Sequence, residues 1–183
     1  HVRAYEVYEK LIPVLKETLK EYGNVEVILQ DFLEADVESS VRELREAYGS
    51  VAVCANLPYY ITTPILFRLF ECREGIPYIP VMVQKEVAQR IAAKPGSADY
   101  SAFTVFCQYY AEPELLFDVP REEFLPAPKV TSSVLRCVRR KKPAVEVEDE
   151  AFFFKVMRGG FLLRRKTLTN SLSAALKGDD KET

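Results

Sequence analysis

The stretch NLPYY, Asn56 to Tyr60, directly follows the apolar run SVAVCA at 50–55. An apolar run of that length reads as a buried strand. An amide, a proline and two phenol rings in succession exceed what a turn requires. An exocyclic amine on an adenine ring is a poor nucleophile, because its lone pair is delocalised into the ring. Two acceptors on its N–H groups favour the pyramidal form that can attack an electrophile. The Asn56 side-chain oxygen and the Leu57 carbonyl are two such acceptors. Pro58 would fix the loop, and Tyr59 would stack on the base. Tyr60 has no assigned chemistry and is expected to pack. A base inside a helix cannot reach such a pocket, so it must be flipped out or come from a loop. Taken alone, the peptide serves equally well as a strand-end turn with packing rings.

Two further strand ends carry suggestive side chains. Glu6 closes the run HVRAYEV, and an acid there can accept hydrogen bonds from both hydroxyls of a ribose. Asp31 and Phe32 follow VEVILQ at 25–30. A carboxylate can accept from an adenine amine while a phenyl ring covers the base. In open parallel sheets, ligands bind beyond the carboxyl ends of the strands. Together the three ends describe a nucleoside-shaped site. Singly, Asp31 also reads as a helix cap or turn former, and Glu6 as a solvated acid.

These ends need a scaffold, and the chain supplies a strand–helix rhythm up to residue 95. A helix is predicted over EKLIPVLKETLKEY (9–22), with Pro13 in its first turn and Gly23-Asn24 ending it. VESSVRELREAY predicts a short helix stopped by Gly49. TTPILFRLFE predicts a helix with a threonine cap and Pro64 in the first turn. IPVMVQ (79–84) reads as a strand, and KEVAQRIAA as a helix ended by KPGS. Such alternation predicts an α/β fold with a mostly parallel sheet and helices on both faces. AFTVFCQYYAEPELLFDV and SSVLRCVRR read as two longer strands closing the sheet edge antiparallel, with the Pro-rich FLPAPKV between them. KKPAVEVED is a predicted linker. The segment EAFFFKVMRGGFLLRRKTLTNSLSAAL predicts two helices split near Gly159-Gly160.

Bulk properties exclude several classes. No apolar run reaches the ~20 residues of a membrane-spanning helix, and no secretory signal is visible. Cys54, Cys72, Cys107 and Cys137 form no CxxC pair and read as buried free thiols of a reducing cytosol. With His1 the sole histidine, neither histidine catalysis nor a metal site is expected. Net charge is −2, but it is unevenly spread. The windows KVTSSVLRCVRRKK (129–142) and KVMRGGFLLRRKTLTNSLSAALK (155–177) hold six basic residues each and no acid. They fit phosphate contacts or a solvated face equally well on charge alone.

Four blocks carry a resemblance that spans nearly the whole chain: ANLPYYITTPILFRLFE, VMVQKEVAQRIAAKPGSADYSAFTV, CQYYAEPELLFDVPREEFLPAPKVTSSVLR and FLLRRKTLTNSL. In this order they resemble the bacterial small-subunit ribosomal RNA adenine N6-dimethyltransferases. The resemblance implies a Rossmann-like class I S-adenosylmethionine-dependent methyltransferase sheet. It places a partial catalytic domain at 1–142, and a linker with the first helices of a C-terminal helical domain at 143–183. It implies S-adenosylmethionine as methyl donor and no metal. Glu6 would hold the donor's ribose, Asp31 and Phe32 its adenine, and Asn56 would also border the donor. Asn56, Leu57, Pro58 and Tyr59 match the target-adenine pocket, and Phe124 an aromatic covering the other face of the flipped base. Lys85, Arg90, Lys94, Arg139, Arg140, Lys141, Lys142, Arg164, Arg165 and Lys166 become expected phosphate contacts, which position RNA rather than read it.

The implied reaction is dimethylation of two adjacent adenosines in the 3′-terminal hairpin loop of small-subunit rRNA, within a pre-ribosomal particle, by a cytoplasmic monomer. Two alternatives remain open: a large-subunit rRNA adenine methyltransferase of the erythromycin-resistance type, and a noncatalytic RNA-binding assembly factor. The sequence departs from the family pattern in places. Glu6-Val7-Tyr8 stands where the family has acid-x-Asp, Ser101 where it usually has Gly, and FLLRRK where it has a more polar spelling. The family's Gly-rich strand–loop–helix would precede His1, and its helical domain would continue past the two C-terminal helices. With those parts missing, the chain by itself is expected to bind donor poorly and to be inactive.

Overall fold

A computed structural model describes residues 1–72, 74–163 and 165–176. The chain divides into two compact units, His1–Ala52 with Pro58–Ile76, and Val53–Leu57 with Pro77–Thr183.

In the first unit, β1 (Val2–Glu6) and β2 (Val25–Leu29) pair in parallel, from Val2↔Val25 to Glu6↔Leu29. The connection runs through a 3-10 turn at Glu9–Leu11 and α1 (Ile12–Thr18). Pro13 lies in the first turn, where its missing N–H has no partner to lose. The helix is shorter than its 9–22 pattern predicts. It stops at Leu19 (φ −102°, ψ 4°), before Gly23 is reached. α2 (Val37–Tyr48) begins where Asp36 Oδ1 accepts from the Ser39 amide at 3.0 Å. It ends at Gly49, whose φ of 85° is a left-handed value that favours glycine. α3 (Thr62–Glu71) buries Ile65, Leu66, Leu69 and Phe70 along one stripe. Thr62 is its first residue rather than its cap. Its hydroxyl donates back to the Pro58 carbonyl at 3.0 Å.

The second unit is built on a four-stranded sheet ordered β3-β4-β6-β5. β3 (Ala55–Asn56) runs parallel to β4 (Tyr78–Gln84). β6 (Ser132–Arg139) is antiparallel to both β4 and β5 (Ala111–Val119). The alternation of β4 and β6 is that of strands with one covered face. Ile79, Val81 and Val83 stand opposite Cys137, Leu135 and Ser133, and all six are buried. α4 (Lys85–Ile91) follows β4 without a break.

Three expectations change here. The predicted strand 50–55 pairs as a ladder only at Ala55–Asn56, with one further bond from the Val53 amide to the Tyr78 carbonyl at 3.0 Å. β3 is the edge of its sheet, and a short edge strand exposes few unpaired backbone groups. The predicted long strand over AFTVFCQYYAEPELLFDV is instead α5 (Ala102–Tyr110) followed by β5. Ser101 and Thr104 form a reciprocal capping box, which starts a helix despite the aromatic, β-branched composition. Finally, α6 (Glu150–Leu162) runs straight through Gly159-Gly160, and the break to α7 (Leu168–Leu176) falls after Leu162. A Cβ added to Gly159 would lie 2.7 Å from Ala175 Cβ. Gly159 therefore serves close packing between the helices, sealed by the Ser171 hydroxyl donating to the Gly159 carbonyl at 2.7 Å.

α6 docks within this unit through rings. Phe154 lies 5.1–5.9 Å from Phe106, Tyr109, Tyr110 and Phe153. Cys107 and Cys137 are buried free thiols. Burial pushes the Cys137 thiol up to about 12. Cys72 is buried and free too, whereas Cys54, expected to be buried, is exposed because it lies before the two paired residues of β3.

Candidate functional site

Parallel pairing brings the first two strand ends to one edge. The Gln30 amide donates to the Glu6 carbonyl at 2.9 Å, so Glu6 and Asp31 leave the sheet side by side. Glu6 is half-buried, and its Oε1 accepts from the Tyr8 amide at 2.7 Å. That bond fixes the carboxylate and leaves Oε2 without a hydrogen bond among the described residues. Tyr8, the departure from the acid-x-Asp pattern, contributes its backbone here, and its side chain is exposed.

Asp31 follows the same design. Its Oδ1 accepts from the Leu33 amide at 2.8 Å, and its carbonyl accepts from the Glu34 amide at 3.0 Å. Oδ2 has no hydrogen bond among the described residues. Phe32 is half-buried, with Tyr5 edge-on at 5.4 Å between centroids and 80° between planes. The Tyr5 hydroxyl is in turn bonded to Ser40 Oγ at 2.6 Å. Two free carboxylate oxygens and a braced ring at one sheet edge fit an adenosine, which presents hydroxyl and amine donors and a flat face.

In the second unit, Asn56 pairs with Met82 at the last register position of β3. The next amide, Leu57 N–H, donates to the Met82 carbonyl at 3.0 Å, and the Leu57 side chain is buried. The Asn56 side chain is exposed. Neither its amide group nor the Leu57 carbonyl has a partner among the described residues. Pro58 then turns the chain at φ −59°, ψ 130°. Its carbonyl accepts from the Ile61 amide and the Thr62 hydroxyl. Tyr59 is half-buried. Tyr60, expected to pack, is 82% exposed. Phe124 is half-buried and closes a 3-10 turn by donating its amide to the Arg121 carbonyl at 3.3 Å. It makes no ring contact with another aromatic among the described residues.

The expected phosphate contacts separate by their partners. Lys85 Nζ bonds Asp118 Oδ2 at 2.6 Å, and Ser133 Oγ bonds the other carboxylate oxygen at 2.6 Å. The Lys85 ammonium, with the Ser133 hydroxyl beside it, holds the Asp118 carboxyl below its usual range. Arg140 reaches Glu112 at 2.6 Å and the Gln108 carbonyl at 2.9 Å. Arg139 lies 5.7 Å over the Tyr110 ring, and Lys142 is 3.6 Å from Glu146. Arg90, Lys94, Lys141, Arg165 and Lys166 are exposed, with no side-chain partner among the described residues. Arg164 lies outside the described residues.

Sequence reasoning passes over Arg68 and Asp118. The signal for Arg68 is a lone cation inside the otherwise apolar TTPILFRLFE. Asp118 gives no comparable signal, since its partners come from α4 and β6.

All of the chain, residues 1–183, matches the family model described as ribosomal RNA adenine dimethylase. It is 50% identical over 181 residues to the ribosomal RNA small subunit methyltransferase A of Bacillus cereus strain B4264, and equally so to that of Bacillus anthracis strain A0248. Each match covers 99% of this chain and 62% of the relative, so the chain spans about three fifths of those proteins. Among solved structures, the 23S rRNA methyltransferase ErmE superposes with a TM-score of 0.73 at 27% identity, covering 95% of this chain and 66% of that one. A dimethyladenosine transferase from Plasmodium falciparum gives 0.74 at 24% identity, with 96% and 61% coverage, and at that identity it speaks for the fold alone.

Proposed function

This chain belongs to the ribosomal RNA adenine dimethylase family, and from that premise we propose that it takes part in N6,N6-dimethylation of two adjacent adenosines in small-subunit rRNA. The donor is S-adenosylmethionine, whose sulfonium supplies an already activated methyl group when bound. The protein's work is then to hold and orient. Glu6 Oε2 accepts from the ribose, Asp31 Oδ2 from the adenine amine, and Phe32 covers the ring. Asn56 Oδ1 and the Leu57 carbonyl accept from the target amine, turning its lone pair out of the ring. Pro58 sets the turn, Tyr59 stacks on the target base, and Phe124 covers its other face. Asn56 also borders the donor.

One observation carries this reading. The Leu57 amide is tied to Met82 at 3.0 Å, while the two acceptors flanking it stay unpaired among the described residues. A turn made only for packing has no use for two unspent acceptors at the end of a strand.

Residues 1–142 act as the catalytic part, and 143–183 as a linker with the first helices of a helical domain. The substrate is a pre-ribosomal particle in the cytoplasm, and the protein acts as a monomer. No helix among the described residues is long and apolar enough to cross a membrane. Arg90, Lys94, Lys141, Arg165 and Lys166 are the cations most available for phosphates; Lys85, Arg139, Arg140 and Lys142 would have to share theirs.

Large-subunit RNA is the second reading, favoured by the superposition on the 23S rRNA methyltransferase. Identity of 50% to the small-subunit enzymes against 27% ranks it behind. Full-length protein with labelled donor, small-subunit particles and naked large-subunit RNA decides between them. The proposal expects N6,N6-dimethyladenosine in digests of the small-subunit RNA. Label confined to large-subunit RNA would favour the second reading, and no label in either would contradict both.

A further inference from the structure

The loop that leaves β2 has to present Asp31 and Phe32 in one place. Its own bonds are a pair of successive turns, Glu34 N–H to the Asp31 carbonyl at 3.0 Å and Ala35 N–H to the Phe32 carbonyl at 3.2 Å. Loop backbone of this kind needs partners for its carbonyls. Arg68 supplies them. From the second turn of α3 its Nη1 donates to the Leu33 carbonyl, and its Nη2 donates to the Ala35 carbonyl at 2.6 Å. The guanidinium is half-buried, and Ala35 beside it is buried. A planar fork of donors can hold two carbonyls at once, which a lysine ammonium on its flexible stem does less rigidly.

α3 starts at the other functional segment of this unit. The Thr62 hydroxyl and the Ile61 amide both bond the Pro58 carbonyl, next to Tyr59. Arg68 stands six residues beyond Thr62, about 9 Å along the axis at the usual helical rise. One helix thus grips the Pro58–Tyr59 turn at its start and the Asp31–Phe32 loop through its only described cation.

We propose that Arg68 is a positioning residue for the donor's adenosine, acting through the Leu33 and Ala35 carbonyls to fix Asp31 and Phe32. The proposal rests on the functional reading above. It adds a residue that touches neither donor nor RNA and that sets affinity for the adenosine half of the donor.

The test, on the full-length protein and its variants, is calorimetric binding of S-adenosylhomocysteine and of 5′-methylthioadenosine, which lacks the amino-acid end, well below the melting temperature. Arg68→Gln should weaken both probes about tenfold, the scale of a lost charged hydrogen bond. Arg68→Lys should recover part of the loss. Combined with Phe32→Ala, Arg68→Gln should cost little more than Phe32→Ala alone, because both act on the same loop. In turnover, KM for the donor should rise while kcat and KM for RNA hold. A lower melting temperature with unchanged probe affinity would overturn the proposal, as would full additivity in the double variant. If Arg68→Gln does not fold, Arg68→Lys with unchanged affinity for both probes overturns it equally. Wild-type protein that binds neither probe would overturn the functional reading itself, whereas loss of binding in Asp31→Ala with none in Arg68→Gln would leave that reading standing and remove this proposal alone.

Discussion

The Leu57 amide donates to the Met82 carbonyl at 3.0 Å, one residue beyond the last register pair of β3 and β4. The bond extends the ladder by half a step and stops it. Leu57 drops its side chain into the interior, and Asn56 is left at the rim. The bond holds the Leu57 backbone, and with it the Leu57 carbonyl, in place; under the proposed function that acceptor needs no reorganising when a base arrives.

The free and the engaged cations should behave differently toward RNA. Replacing Lys94, Lys141 and Lys166 together with alanine should weaken RNA binding uniformly across sequences. It should also flatten the plot of log K against log salt by about 0.7–0.9 for every phosphate that is no longer neutralised. Lys85→Ala should flatten it less, because Lys85 is already bonded to Asp118 at 2.6 Å. Filter binding across a salt series reads both. Equal slopes for the triple variant and wild type would remove these residues from the interface.

The Lys85–Asp118–Ser133 group predicts a pH signature. Lys85 first, then Ser133, lowers the Asp118 pKa in the folded protein below the ordinary value of 3.8. The stabilisation is fully present above the unfolded value and is lost as pH falls through the folded one. Melting temperatures of wild type and Asp118→Asn should therefore differ above pH 3.8 and converge below it. A gap that persists or widens in acid would refute the clamp.

Two adjacent glycines in α6 should respond with opposite signs. Gly159→Ala would press a methyl against Ala175 Cβ at 2.7 Å. Overpacking of that kind costs about 1–3 kcal/mol. At Gly160 the nearest atom to an added Cβ is Leu168 Cδ1 at 3.5 Å, an ordinary contact. Gly160→Ala should be neutral or stabilising by up to about 1 kcal/mol, through helix propensity. Denaturant unfolding of the two variants measures both, and similar effects would mean that α7 does not press on Gly159.

How far the sequence can be read follows from how local each signal is. Asp36 and Gly49 mark the ends of α2 with their own side chain or backbone angle, and the pattern predicts that helix to the residue. The places of Glu6, Asp31 and Asn56 at or just past strand ends are legible because an end of a strand is visible as an end of an apolar run. α5 reads wrongly as a strand because AFTVFCQYY favours one by composition, while the decision lies in the Ser101–Thr104 box at its start. Gly159 reads wrongly as a break because its reason is Ala175, sixteen positions on, which no local pattern reports. Arg68 is the same case at the site: its partners lie 35 and 33 residues back in the chain.

If the strand-end acceptors activate the target amine, Asn56→Ala in the full-length protein should slow methyl transfer itself under single-turnover conditions with saturating donor and RNA. Asn56 is exposed and its side chain has no bond among the described residues, so the fold and melting temperature should be unchanged. The expected rate is at least about 100-fold lower, the scale of one lost positioned hydrogen-bonding group, with donor and RNA affinities within a few-fold of wild type. A rate equal to wild type, or a loss repaired by raising the RNA concentration, would refute activation of the amine by Asn56.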